Sequence, residues 1–538
     1  MPRVALSRRT RGLIAVPVIL VLTGCIHNFW RTVAVKVALP ESGSVVVKTP
    51  LKVHMVDGRT VVFRTGASID RSAITGSGES YGMLASISDP RAVSRVTLDS
   101  VVGVETFEGR RLAAQTFIVS AAATAVTGAA TILLLKALFG SCPTVYADTG
   151  VGTEPVLQAE GFSYAIAPLL EQRDLDPLRV RPDSNGLIRL DLRNEALETH
   201  YINNIELLAV RHARDARAVP DQNGRPVVVS AIRSIAAAHD RSGRDVRAVL
   251  AASDGDLFSS SAHAVNGARV GDLDDWIDLD VRDLRPGDSI AVVLRLRNSL
   301  LNTVLLYDGI LSGRDAPDWL DTGLQHIATA IDLGAWYTRT MGMRVSVEGV
   351  RPKSQDQPWN ARLSDVGPLA FRDVAIVLPR PAHIDSTVRV RLRFVADDWR
   401  IDYATVAAHI GRPSPVMIPL RRVVVPTPVG AKGPIVDTAA VAALREPDGK
   451  YLQTMPGQRM TLEFAPNQRA EQPDSTTTYM IAWQGWYREW IRGQWLAEPK
   501  RSVAWTPGDS SVLAALRQWH SRKNEMEQAF YSTRIPVK

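Results

Sequence analysis

Apolar and polar residues alternate in short runs along most of the chain, and the runs end at turn-forming residues. This is the pattern of antiparallel β-strands with one buried face. In Leu187–Asn194, for example, apolar residues alternate with charged ones. Asp57-Gly58 separates two apolar runs and predicts a hairpin. The pattern therefore predicts a mainly β, multidomain protein.

Changes in this pattern divide the chain into four units. Residues 33–110 are typical of a small β-barrel-like domain, similar in pattern to SH3-like or Sm-like barrels, and residues 141–284 of a β-rich domain. Residues 285–425 have the short, evenly spaced strands of a β-sandwich. A linker rich in proline and glycine, 426–434, then predicts a separate C-terminal domain at 435–538, mixed in structure and rich in aromatic residues.

The N-terminus has the layout of a secretory signal, with a basic start followed by the uncharged run Gly12–Gly24. The run closes on Leu22-Thr23-Gly24-Cys25, which resembles the lipobox of bacterial lipoproteins. The resemblance implies that residues 1–25 are a lipoprotein signal peptide and that a lipid on Cys25 anchors the chain in a membrane. The resemblance also implies a location in the cell envelope. Because residue 26, directly after the cysteine, is isoleucine rather than aspartate, it implies the outer membrane more than the inner membrane, on the periplasmic or surface face.

A second apolar segment does not fit simply with a chain that is exported and anchored only by a lipid at its N-terminus. Leu112–Leu135 carries no charge over 24 residues, which predicts one long apolar helix within residues 111–140. The helix is long enough to span a membrane, but Arg110 and Arg111 would place its start in the cytoplasm, whereas an exported N-terminus would place it outside. A transmembrane helix and a helix packed under the β-domains therefore both remain open.

The charge balance bears on the kind of partner the chain binds, and the cysteine content bears on how its fold is stabilised. Beyond residues 1–25 the chain has 59 basic and 56 acidic residues, so it is close to neutral. A basic surface for nucleic acid is therefore not expected. Cys142 is the only cysteine after Cys25, so the predicted mature chain has no internal disulfide and its stability must come from its hydrophobic cores.

Several short motifs beyond residue 140 resemble one group of proteins. They resemble a family of large bacterial lipoproteins that are functionally uncharacterised, so the likeness implies export and a lipid anchor but no activity. The motifs that carry it are Ser141-Cys142-Pro143, Tyr201–Val210, Leu294–Tyr307, Gly485-Trp486-Tyr487 and Phe530-Tyr531.

The strands Arg372–Pro379 and Arg389–Phe394, with Trp399–Asp402, are similar to the closing strands of galactose-binding-like jelly rolls. This resemblance implies a ligand surface at the loops. Asp397, Asp398, Trp399 and Asp402 are the candidate ligand-binding residues there, for a calcium ion or a sugar, although turn aspartates explain the carboxylates equally well.

Tryptophans are concentrated near the C-terminus, at positions 483, 486, 490 and 495. They could stack on sugar rings, lie at a membrane interface or pack in a core. Trp486 and Tyr487 are taken as candidate ligand-binding residues. Farther on, apolar residues within Ser511–Phe530 have the spacing of an amphipathic helix.

No catalytic residue, metal site or cofactor is predicted. Ser80 lies in a G-x-S-x-G match, but the surrounding unit is too small for an α/β-hydrolase, which favours a flexible hairpin loop. The acidic run Asp272–Asp280 lacks the EF-hand pattern and is typical of a solvated strand edge. The histidines are scattered without zinc-ligand spacing.

Together these features predict a lipid-anchored cell-envelope protein whose β-sandwich modules bind carbohydrate or a protein partner without catalysis. Its membrane contact would be the N-terminal lipid. Two alternatives remain open: an envelope hydrolase whose site forms only in three dimensions, and an integral membrane assembly component held by Leu112–Leu135.

Overall fold

The computed structural model of the chain describes most of the residues beyond 142 and part of the N-terminal region. The described residues are 30–33, 43–48, 51–55, 60–81, 91–109, 143–150, 154–163, 165, 171–196, 198–285, 288–305, 336–337, 339–350, 359–379, 387–426, 435–455, 457–466, 474–489 and 508–532.

Several predicted features lie outside these residues: the signal peptide with Cys25, the apolar helix at 111–140, Trp490 and Trp495. Within the described ranges, no helix is both long enough and apolar enough to cross a bilayer.

The N-terminal unit is one antiparallel sheet, sheet A, whose core contains Leu51, Val53 and Phe63. Its strands follow one another in the order β1-β8-β3-β4-β6-β5-β2, with β7 paired to β6, and no pairing among the described strands joins the two ends. The prediction of a small β-barrel-like domain is therefore wrong, because β1 and β2 lie at opposite ends of the sheet that the described strands form. The strands are β1 Trp30–Val33, β2 Val45–Val47, β3 Leu51–Met55, β4 Thr60–Phe63, β5 Ala67–Ile69, β6 Ala73–Tyr81, β7 Arg91–Thr97 and β8 Val101–Gly109.

Two further sheets, B and C, face each other across one core and form the first sandwich. Leu190 and Phe464 of sheet B and Ile205 and Trp483 of sheet C are fully or almost fully buried in this core. Sheet B contains β9 Thr144–Ala147, β10 Val156–Glu160, β12 Ile188–Arg193, β25 Leu420–Val425, β26 Ile435–Val436 and β28 Arg459–Phe464. Sheet C contains β11 Gln172–Leu178, β13 Glu198–Ala213, β24 Val416–Ile418, β27 Leu452–Thr454 and β29 Ser475–Glu489.

Sheets D and E form the second sandwich around a separate core that includes Leu294, Ile376, Leu279 and Leu392. Sheet D contains β14 Arg217–Pro220, β15 Pro226–Arg233, β18 Ile290–Asn298, β21 Arg372–Leu378 and β23 Trp399–Gly411. Sheet E contains β16 Ile235–Asp240, β17 Asp274–Arg282, β19 Met343–Val347, β20 Ala361–Leu363 and β22 Thr387–Val395.

The second sandwich is inserted into the first, since all its strands lie between β13 and β24 in the sequence. The predicted boundary between residues 284 and 285 therefore falls inside the second sandwich, between β17 and β18. Likewise, β26 to β29 of the predicted separate C-terminal domain complete sheets B and C. Both domain boundaries depend on pairing between strands that are far apart in the sequence. The alternation of apolar and polar residues within a strand does not indicate which other strand it pairs with.

In the described part of the chain, five α-helices accompany the sheets: α1 Arg247–Leu250, α2 Ala262–Gly267, α3 Leu301–Val304, α4 Thr438–Ala443 and α5 Asp509–Ser532. The last, which is irregular at Arg522, buries Val512, Leu516 and Trp519 against the first core. That core also receives Leu301 of α3, so α5 packs where the two sandwiches meet.

Candidate functional site

The first predicted group of ligand residues lies at the turn between β22 and β23 and at the start of β23. Asp397, Asp398, Trp399 and Asp402 are all buried. The Trp399 side chain is fully buried in the core of the second sandwich. It presents no ring face at the surface on which a sugar could stack.

Asp397 fastens the C-terminal helix to this turn. It adopts a left-handed backbone conformation with φ of 61°. Its Oδ1 accepts a hydrogen bond from Arg400 Nη1 at 2.9 Å, and its Oδ2 accepts one from Trp519 Nε1 at 2.8 Å. Lys523 Nζ lies 3.5 Å from the same Oδ2. Asp397 Oδ2 thus holds α5 in place, while Oδ1 is bonded to Arg400 at the start of β23.

Asp402 holds the loop that follows α1. Its Oδ2 accepts a hydrogen bond from Ser253 Oγ at 2.6 Å, and its Oδ1 accepts one from the Gly255 backbone N–H at 3.0 Å. Arg295 Nε lies 3.2 Å from Asp402 Oδ2. These contacts make Asp402 a structural carboxylate of the second sandwich.

Asp398 belongs to a buried polar network. Asn302 Nδ2 donates to Asp398 Oδ1 at 3.1 Å, and Asn298 Nδ2 donates to Asp365 Oδ1 at 3.0 Å. Burial and the neighbouring charge of Asp365 raise the pKa of Asp398 well above its usual range. The Asp398 carboxyl therefore keeps its proton at a pH where an exposed aspartate is ionised.

The same network is poorly arranged for a cation. Asn298 Oδ1 accepts hydrogen bonds from the backbone N–H groups of Val366 and Gly367, at 2.7 and 3.2 Å, which turns its amide NH₂ toward the carboxylates. A cation needs oxygen ligands rather than N–H groups. Within the described ranges, moreover, no group of three or more His, Cys, Asp or Glu side chains could hold a metal ion.

The acidic run is part of a cross-strand ladder of ion pairs. β17 carries the aspartates and β22 the arginines, and β17 lies between β16 and β22, so it is not the strand edge that the sequence predicted. Three of these carboxylates are each paired with a guanidinium from the neighbouring strand, whereas Asp275 is buried, which raises its pKa. The pairs are Asp280–Arg389 at 2.8 Å, Asp278–Arg391 at 2.7 Å and Asp274–Arg393 at 2.6 Å.

Ser80 lies within β6, where its backbone pairs with Val61 on one side and Arg91 on the other. The prediction of a flexible loop is therefore wrong. The serine is also not on a strand-to-helix turn, which is the geometry that exposes a nucleophile in hydrolases.

A buried chain of a hydroxyl, a histidine and a carboxylate was not apparent from the sequence. Thr454 Oγ1 lies 2.9 Å from His200 Nδ1, and His200 Nε2 lies 2.9 Å from Glu198 Oε1. Burial lowers the pKa of His200 to about 3, so its ring is neutral at ordinary pH. Thr454 is 3% exposed, so a substrate cannot reach its hydroxyl in this conformation.

The second predicted group, Trp486 and Tyr487, lies on β29 of sheet C. It belongs to the first sandwich, whereas Asp397–Asp402 belongs to the second. Tyr487 is fully buried in the first core. Trp486 points away from Tyr487, because side chains alternate along a strand; it is half-buried and also contacts residues of the first core. Only Trp486 of the two is therefore placed to meet a ligand.

Trp486 forms an aromatic platform with Tyr201 and Tyr451. Tyr201 on β13 is the cross-strand partner of Trp486, and their rings stack in parallel with centroids 3.9 Å apart. The Tyr451 ring stands edge-on to both rings, with centroids at 6.2 Å. A side chain at Gly485 would bring its Cβ 2.4 Å from the Tyr201 carbonyl oxygen, so glycine at this position allows the strands to approach.

A carboxylate lies beside the platform and organises its polar side chains. Glu171 Oε2 accepts a hydrogen bond from the Tyr451 hydroxyl at 2.6 Å. Glu171 Oε1 accepts from Asn203 Nδ2 at 2.6 Å and from Gln484 Nε2 at 2.9 Å. Burial and the Glu171 carboxylate raise the pKa of Tyr451 to about 12, so its hydroxyl stays protonated.

The sequence predicted only one member of this site. Glu171, Tyr201 and Tyr451 lie far from Trp486 in the chain. Antiparallel pairing of β11 and β13 with β29, and of β27 with β13, brings these elements together. The signal in the sequence was Tyr201 and Asn203 at alternate positions of one strand, since residues at alternate positions share one face.

A polar cleft of about 440 Å³ lies at the junction of the two sandwiches. It is lined by β11, the turn between β14 and β15 and residues 359–366. Arg372 of β21 makes a contact across the junction, with its Nε 2.6 Å from Asp176 Oδ1 of β11. Gln222 pairs with the backbone of Val377 within the second sandwich. The cleft therefore marks a joint held by ion pairs and hydrogen bonds.

Comparison with known proteins adds no family to this description: no protein-family model matches the chain, and no curated protein matches it either.

Proposed function

We propose that this chain is a lipid-anchored protein of the bacterial cell envelope and that it binds carbohydrate on the outer face of sheet C. The observation that carries the binding proposal is the aromatic platform of Tyr201, Tyr451 and Trp486, with the Glu171 carboxylate at its side. The lipid anchor rests on the lipobox-like sequence at Cys25.

The platform has the two components that sugar recognition needs. Aromatic rings offer flat apolar faces for the C–H face of a pyranose, and nearby carboxylate and amide groups orient the sugar hydroxyls. Trp486 and Tyr201 are each half-buried, and their side chains are held by mutual stacking at 3.9 Å. Such preorganisation lowers the entropy lost on binding.

Binding is favoured over hydrolysis by the position of the reactive groups. The hydroxyl–histidine–carboxylate chain at Thr454 is buried, and Ser80 lies in a paired strand. Glu171 is the carboxylate that does lie beside the platform. It accepts hydrogen bonds that orient Tyr451, Asn203 and Gln484. The function supported best is therefore recognition.

Calorimetric titration of the full-length chain with a panel of neutral and amine-bearing oligosaccharides tests this proposal. We expect binding to at least one oligosaccharide. We expect Trp486→Ala to weaken it about fivefold or more, since loss of one stacking ring is worth about 1–3 kcal/mol by analogy with other aromatic stacking.

Trp276→Ala is the matched control, because Trp276 is also half-buried on the outer face of a sheet but lies under Arg241 and Arg391, with guanidinium carbons 4.8 Å from its ring. This variant should bind as the unmodified chain does. If no oligosaccharide binds, or if both tryptophan variants behave alike, the platform is not a carbohydrate site.

A further inference from the structure

Glu171 is a carboxylate whose described hydrogen-bond partners are all neutral. It receives hydrogen bonds from a phenol and two amides, and it forms no ion pair within the described part of the chain. A partly exposed carboxylate in this setting keeps its charge available to a ligand, because no guanidinium or ammonium group of the described residues forms an ion pair with it.

Two cations close to Glu171 and Tyr451 in the sequence are already paired with other carboxylates. Arg173, two residues after Glu171, lies 3.8 Å from Glu206, and Lys450, next to Tyr451, lies 2.6 Å from Asp448. The negative charge beside the aromatic platform is therefore not cancelled by these neighbours.

An aromatic face and an uncompensated carboxylate together attract a cation. A ring face attracts an ammonium group through its quadrupole, and a carboxylate attracts it through charge and hydrogen bonding. Trp486 and Tyr201 supply the rings, and Glu171 supplies the charge with acceptor capacity that its three donors do not exhaust. The same carboxylate repels sugars that carry acidic groups.

We propose that the platform selects glycans that carry free amines, so that Glu171 is the residue that determines specificity. The inference rests on the proposed carbohydrate-binding function and adds the chemical class of the sugar. The ammonium group of an amino sugar would lie between the Glu171 carboxylate and the aromatic rings, with the pyranose ring on the platform.

Two probes that differ only at the amine test this directly: oligomers of glucosamine and N-acetylated oligomers of the same length, at a pH where the free amine is protonated. We expect the full-length chain to bind the amine form about five- to tenfold more tightly, the range expected for one exposed charge pair with a cation–π contact. Increasing salt should reduce this preference, because the charges are partly exposed.

Glu171→Gln should remove the preference, with less than about a twofold effect on the acetylated oligomer, whereas Glu171→Asp should retain part of it because the charge remains. Glu154→Gln, at an exposed carboxylate in a loop, is the control and should change nothing. If Glu171→Gln does not fold, the salt dependence of the unmodified chain still decides the question.

The outcomes separate the two proposals. Equal or tighter binding of the acetylated oligomer, weakened by Trp486→Ala, would overturn the amine selectivity but keep the carbohydrate site. Binding of neither oligomer nor any other sugar would overturn the carbohydrate site itself.

Discussion

The indole N–H of Trp519 donates a 2.8 Å hydrogen bond to Asp397, which joins the last helix of the chain to a turn of the inserted sandwich. Both side chains are buried, and Asp397 is held in a left-handed backbone conformation at that point. The helix α5 therefore contacts both sandwiches, through Trp519 and Lys523 on one side and Val512 and Leu516 on the other.

Removing this hydrogen bond should destabilise the protein. Trp519→Phe keeps an aromatic ring but leaves Asp397 Oδ2 without its indole donor, so we expect a loss of about 1–3 kcal/mol in the free energy of unfolding. Urea denaturation followed by circular dichroism measures it. His520→Ala, at an exposed position one residue along the same helix, should change stability by less than about 0.5 kcal/mol. Equal effects of the two variants would show that the Asp397 contact contributes nothing.

Gly367 is required where the two sandwiches meet. Its φ is 100°, and a Cβ there would lie 2.6 Å from Glu160 Cδ, whose carboxylate accepts hydrogen bonds from the backbone N–H groups of Leu369 and Ala370. Gly367→Ala should therefore lower the free energy of unfolding by more than backbone strain alone would, which is about 1–3 kcal/mol.

Gly349→Ala separates the two contributions, because Gly349 also has a positive φ, of 77°, but has nothing within 4 Å of the position of its Cβ. The comparison uses the midpoints of thermal unfolding of both variants. Equal destabilisation by the two variants would mean that the Glu160 side chain moves aside without lowering the stability of the protein.

Acid should destabilise the first sandwich through His200. Burial lowers its pKa in the folded protein to about 3, against 6.5 for an exposed histidine, so the unfolded chain binds the extra proton between these values. Stability should fall as the pH falls through this window, by up to about 1.4 kcal/mol per pH unit.

Urea denaturation between pH 4 and pH 8 measures this slope. His200→Gln should flatten the slope, so that the penalty of the variant is largest at neutral pH, whereas His263→Gln, at an exposed residue, should leave the slope unchanged. An unchanged slope in His200→Gln would assign the acid sensitivity to other groups.

The lipid anchor can be tested in cells. Cys25→Ala removes the predicted acylation site, and we expect the chain to lose labelling by a fatty-acid precursor and to leave the membrane fraction. Carbonate extraction measures the second effect. Retention of the variant in carbonate-washed membranes would instead indicate that Leu112–Leu135 spans the bilayer.

The sequence by itself determined the kind of structure that each segment forms. Alternation of apolar and charged residues in Leu187–Asn194 correctly predicted a strand, found as Ile188–Arg193, and the spacing within Ser511–Phe530 predicted the helix found at Asp509–Ser532. These signals are local, since a strand or helix records in its own residues which face is buried.

Only the tertiary structure decided how the segments are connected and which side chains meet. The insertion of one sandwich into the other, the open sheet at residues 30–109 and the meeting of Tyr201, Tyr451 and Trp486 depend on pairing between strands far apart in sequence. Alternation fixes which face of a strand is buried but not which strand lies beside it. For that reason Trp399 and Trp486 looked alike in the sequence, although one is a core residue and the other belongs to the candidate site.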